Sequence, residues 1–200
     1  MEKSMEKRID NFVEKVFNIW ETLKGEYDID QSIPLVIAPP DEFPEYKALM
    51  LNSLFNVDHF KPNEFENGDD SFATTMTYIV PDDDNICHVF CAGVIINAII
   101  IFKIVNKKAE EEMIDFIEII LKHEIGHMIS MAMIHEGITM DESNAIDEKI
   151  KMVEADMLSK MNNNISYEEH ASLPLEAHAN ECANVDVNKL IELSYRFDQL

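Results

Sequence analysis

The feature that most constrains this chain is a change in the spacing of its apolar residues near residue 107. Before that point the runs are β-branched. SFATTMTYIV and NICHVF, joined by PDDDN, read as a hairpin, because Pro, Asp and Asn between apolar β-formers favour a tight reversal. GVIINAIIIFKIV reads as a further strand, and its first part can instead close the hairpin across Ala92 and Gly93. After Lys107 the period becomes helical: Met113, Phe116, Ile117, Ile120, Leu121, Glu124, His127, Met128 and Met131 fall along one side, with Gly137 as a stop. The chain must therefore complete a small sheet before residue 106 and then become helical.

The flanking segments agree. Phe12, Val13, Val16, Phe17, Trp20 and Leu23 recur at helical spacing, which predicts an amphipathic helix over 3–24 ended by Gly25. SIPLVIAPP reads as a short strand. Residues 41–71, punctuated by Pro44, Pro62 and Gly68, read as loop with one short helix over 46–55. A helix is expected over 141–161 with Ile146, Ile150, Val153, Met157 and Leu158 facing in. MNNNIS is a break. Ser172 is expected to cap the next helix, with Pro174 in its first turn, and Asp186 the last, through about Arg196. The expectation is one α+β domain over 1–200. Residues 1–106 form a helix and a small, mostly antiparallel sheet of three to five strands, and 107–200 a helical half.

Composition narrows the function classes. The formal net charge of −23 opposes a nucleic-acid partner, which needs clustered Lys and Arg. The longest apolar run, Val94–Phe102, is too short to span a bilayer, so no membrane partner is expected. The first residues alternate charges without an apolar stretch, and three cysteines show no disulfide spacing; both suggest a cytoplasmic protein. Cys87, His88 and Cys91 resemble a metal cluster when written out, but on a strand His88 points away from both cysteines, so packing is the expectation. Asp82, Asp83 and Asp84 lack the spacing of a Ca²⁺ loop and read as a solvated turn. Met128, Met131, Met152 and Met157 read as core filler.

HEIGH, at His123–His127, carries the chemistry. Residues four apart share one helix face, so both imidazoles can reach one ion, and Zn²⁺ suits neutral imidazole. Glu124, beside the first histidine, is placed to take a proton from a zinc-activated water. A third ligand must come from elsewhere, and Glu176, His178 and Glu181 on a later helix all qualify. Tyr167, His170, His178 and His135 are candidate donors to a transition-state oxyanion. A purely structural zinc site would need a fourth ligand, with Cys182 or His178 as candidates.

HEIGH followed by Glu176-Ala177-His178-Ala179-Asn180-Glu181-Cys182-Ala183 resembles the gluzincin metallopeptidases, closest in pattern to the minimal ImmA/IrrE type with its E-x-x-A-(N/D)-x-x-A helix. The resemblance covers both motif helices and the order of sheet before helix. It implies a zincin-like fold, zinc held by His123, His127 and Glu176, and Asn180 orienting a ligating histidine. Ala179 and Ala183 would be small residues that let two helices approach. The metzincin pattern would need Gly at 130 and His at 133, where the chain has Ser130 and Met133. The deformylase pattern would use Cys91, but the glycine-rich motif around it is missing. The expected activity is hydrolysis of an intracellular protein or peptide by a zinc-activated water, with the substrate added as a strand to an exposed edge within Cys91–Ile101. The alternative is a non-catalytic acidic interaction protein on a degenerate zincin scaffold.

Overall fold

The computed structural model describes residues 2–65, 71–161 and 165–200. Gly68 and residues 162–164 of the MNNNIS break therefore lie outside the described residues.

The first helix, α1 (Glu2–Glu26), buries Phe12, Val16, Trp20 and Leu23 and leaves Phe17 on the solvent side. It runs through Gly25 rather than ending there. A helix interior tolerates glycine at modest cost, and the last turn is tied down by Lys24, whose ammonium donates to the Gln31 carbonyl at 2.8 Å. Strand β1 (Leu35–Ala38) and helix α2 (Phe43–Phe55) follow, then the hairpin of β2 (Ala73–Pro81) and β3 (Cys87–Asn97). Asp82 Oδ1 accepts the Asp84 and Ile86 amides at 2.9 Å each, which makes the acidic run a turn.

The sheet is mixed, in the order β1-β3-β2, with β1 parallel and β2 antiparallel to β3. Among the described residues it has three strands. Two sequence expectations fail here for one reason. The apolar run after Gly93 is not a separate strand: Gly93–Asn97 completes β3, and Ala98–Asn106 is helix α3. Asn97 makes the switch, its side chain accepting the Ile99 amide at 2.9 Å as an N-cap. Ile100, Ile101, Ile104 and Val105 then fall at helical spacing on the buried side, so burial overrides β-branched propensity. Consequently β3 is central, its residues Val94–Asn97 lie between β1 and β2, and Ala98–Ile101 is helical, so this run is not an edge strand. The edge beside the helix that carries HEIGH is β2.

Both faces of the inner half of β3 are covered. Val94 and Ile96 pack with α1, α3 and helix α4 (Glu110–His135) in the main core. Ala92 and Ile95 pack beneath α2 with Phe43, Met50 and Leu51. Three acids in the first turn of α4 favour its N-terminal dipole.

Helix α5 (Met140–Lys160) departs from expectation. Its start is well made, Thr139 and Glu142 forming a capping box, but Ser143 is its one buried residue. Val153 and Leu158 are exposed and Ile146, Ile150 and Met157 only half-buried, because none of the described elements covers that face. Met152 is exposed too, so of the four expected methionine fillers only Met128 lies in the core. Ser172 caps no helix start. It ends a short helix, α6 (Tyr167–Ala171), begun by Ser166, and α7 (Pro174–Cys182) starts from Leu173 with Pro174 at its first position. Helix α8 (Val187–Asp198) is capped by Asp186, which accepts the Lys189 amide at 3.0 Å.

Candidate metal centre

Two helices make the centre, and their closeness depends on one glycine. A Cβ on Gly126 would lie 2.0 Å from the Ala179 carbonyl oxygen, an impossible contact. Gly126 and the fully buried Ala179 and Ala183 let α4 and α7 approach backbone to backbone. This brings Glu176, in the first turn of α7, over the histidine face of α4.

The His123 and His127 Nε2 atoms are 3.0 Å apart, and Glu176 Oε2 lies 3.0 Å from the first and 3.6 Å from the second. These three ligand atoms all lie within 4.8 Å of one another, so the group could hold a metal ion. Asn180, one turn beyond Glu176 and buried, presents Oδ1 at 2.8 Å to His123 Nδ1. An amide oxygen only accepts, so His123 Nδ1 carries a proton and Nε2 is the nitrogen that faces the carboxylate. The two-nitrogen, one-oxygen donor set suits Zn²⁺ with a position left for water. The electrostatics agree. Burial opposes charge on both groups, yet the Glu176 carboxylate raises the His123 pKa, and the two imidazoles hold the Glu176 carboxyl well below its usual range.

Glu124 is buried on the side of the helix facing the sheet. Its Oε2 lies 2.7 Å from Thr75 Oγ1 on β2, which also approaches the Glu124 carbonyl at 3.0 Å. Thr75 went unnoticed in the sequence. Nothing in TTMT says which threonine meets the glutamate, because that depends on how β2 crosses α4.

These residues open onto a cleft of about 490 Å³ lined on one side by Thr74, Thr75 and Thr77 of β2 and on the other by Tyr167 and His170. Tyr167 donates its hydroxyl to Asp198 Oδ2 at 3.0 Å, and burial followed by that carboxylate pushes its pKa up. His170 stands at the rim, with Nδ1 3.8 Å from Glu176 Oε2. Met131 lines the cleft instead of filling the core.

The remaining candidates are elsewhere. His178 turns away from the centre to Ser130 Oγ at 2.6 Å, and Glu181 is exposed, so neither joins the ligand group. Cys182 lies beside His178 and does not close the site as a fourth ligand. His135 is fully buried against Ser143 Oγ at 2.8 Å, where it joins α4 to α5 and is not a cleft donor. Cys87 is buried and burial pushes the Cys91 thiol up to about 12, as packing residues should behave, while His88 bonds Glu136 at 3.0 Å.

No family model matches the chain, and no curated protein or solved structure matches it either. Among the described residues no helix is long and apolar enough to cross a membrane.

Proposed function

We propose that this chain is a zinc-dependent metallopeptidase of zincin type that hydrolyses peptide bonds of an intracellular protein. The observation that carries the reading is the convergence of His123, His127 and Glu176, with Glu124 in the adjoining cleft. The likeness of both motifs to the gluzincins supports it.

In this reading His123, His127 and Glu176 would hold zinc, which would supply a Lewis acid for the scissile carbonyl and the attacking water. Glu124 accepts the proton of the attacking water and delivers it to the departing amine. Thr75 restrains the Glu124 carboxylate, and Asn180 fixes the His123 tautomer. An extended peptide adds to the free edge of β2, where the cleft-lining threonines stand. Tyr167 and His170 face it across the cleft.

The test begins with metal content by plasma mass spectrometry on untagged protein. One zinc per chain is expected, lost in His127→Ala and in Glu176→Ala. Glu124→Gln should keep the metal while proteolysis of a denatured, basic protein substrate falls by at least about 10². Wild type without zinc after reconstitution would instead support an acidic interaction protein, the reading favoured by the net charge of −23.

A further inference from the structure

The short helix α6 supplies Tyr167, His170 and Ala171 to the cleft wall that faces β2, yet none of its five residues is buried. Two reciprocal bonds fasten it to α8. The Tyr167 hydroxyl donates to Asp198 Oδ2 at 3.0 Å, and the Tyr195 hydroxyl donates to Glu168 Oε2 at 2.8 Å. From this arrangement we infer that α6 is a lid over the metal centre, latched against α8 by the two tyrosine–carboxylate pairs, and that its opening governs access to the cleft.

In the latched position the Tyr167 ring stacks on Phe72, with centroids 6.0 Å apart and planes 23° from parallel. Phe72 directly precedes β2, so this stack joins the two walls at one end of the cleft. His170 stands over the ligand group, with Nδ1 3.8 Å from Glu176 Oε2. Beneath the lid the side chains of His123, Glu176 and His127 are only 15%, 19% and 24% exposed. A strand added to β2 that continues past Ala73 meets the stacked rings, so a through-running chain requires the lid to lift. This part of the inference rests on the peptidase reading; the latch itself does not.

Little opposes the opening. Helix α6 makes its own capping box between Ser166 and Glu169 and buries no apolar side chain, so lifting it costs the latch bonds and a few ring contacts. One is the edge of Tyr167 on Tyr195, at 5.0 Å. Phe72 is seated against Phe116 and Phe197 at 5.2 and 5.6 Å, which leaves Tyr167 as the ring that moves. Buried Leu173 and Pro174, at the first position of α7, anchor the end on which α6 turns. Lids of this kind gate entry and release without touching the chemistry.

The experiment removes the latch in a Tyr195→Phe, Asp198→Asn double variant, neither residue lining the cleft. The probe is diethyl pyrocarbonate on the full chain stripped of metal, with each histidine followed by peptide mass mapping. His123 and His127 should be modified about tenfold faster in the double variant than in wild type, and at an intermediate rate in Tyr195→Phe alone. His59, exposed outside the cleft, should react at one rate in all three. Hydrogen exchange should quicken at the His170, Ser172 and Leu173 amides, which bond within α6, and stay unchanged over 117–128. Unchanged modification of His123 and His127, or a rise shared with His59 and the amides of 117–128, would overturn the lid. Neither readout needs zinc or turnover, so a chain that binds no metal or cleaves nothing would sink the peptidase reading and leave this result standing.

Discussion

At the scale of single residues, Gly126 and Gly25 give opposite forecasts from the same substitution. A methyl group on Gly126 meets the Ala179 backbone, which cannot rotate away as a side chain would, so the helices must separate. Gly126→Ala should cost about 3 kcal/mol in urea unfolding, the upper end of overpacking effects. It should also lose zinc, since Glu176 moves with α7. At Gly25 the added Cβ meets nothing within 4 Å. Gly25→Ala should stabilise by about 0.5 kcal/mol, through backbone entropy alone. His88 supplies a titration forecast. The Glu136 carboxylate, followed by Asp82, raises its pKa above the ordinary histidine value. The folded value being the higher one, the contact stabilises fully below the unfolded pKa and fades as pH rises through the folded one. An NMR titration should show His88 titrating above a free histidine and returning toward it in Glu136→Gln.

The elements differ in how firmly they are held. Helix α4 carries residues of the main core over most of its length and touches α1, α3, α7, α8 and the sheet. Helix α5 is anchored at its start, through Thr139, Glu142 and the His135–Ser143 bond, and beyond that presents Met152, Val153 and Leu158 to solvent. Local opening free energy follows buried apolar contact. In hydrogen exchange, the amides of 150–160 should therefore exchange at least about tenfold faster than those of 117–128. Equal protection in the two helices would mean that another surface covers α5. The same contrast separates helical period from burial in α5. Ile146, Ile150, Val153 and Met157 have the right period, but period says which residues share a side and not whether anything packs on it.

For the whole molecule, charge and metal are the levers. With 39 acids against 16 Lys and Arg, most acids have no basic partner, so self-repulsion outweighs the surface ion pairs. Salt should accordingly raise the melting temperature, by several degrees between low ionic strength and about 0.5 M, where screening acts within a few ångströms. Chelation should lower the melting temperature and zinc restore it, because the ligand set is assembled only in the folded chain. In His127→Ala that response should be absent.

Much of this was written in the chain itself. HEIGH puts two imidazoles and a carboxylate on one helix by the helical repeat alone, and the helix cap at Asp186 and the PDDDN turn are local chemistry. Glu176 joined the two histidines only through the approach of α7 to α4, which rests on Gly126 and Ala179 meeting across 53 residues of sequence. His178, equally able to bind metal by composition, was turned toward Ser130 by the same approach. Thr75 and the free edge of β2 were settled by sheet order, since the run after Gly93 became α3 when tertiary burial outweighed β-branched propensity. Local bonding sets which side chains share a face. Only long-range packing sets which faces meet.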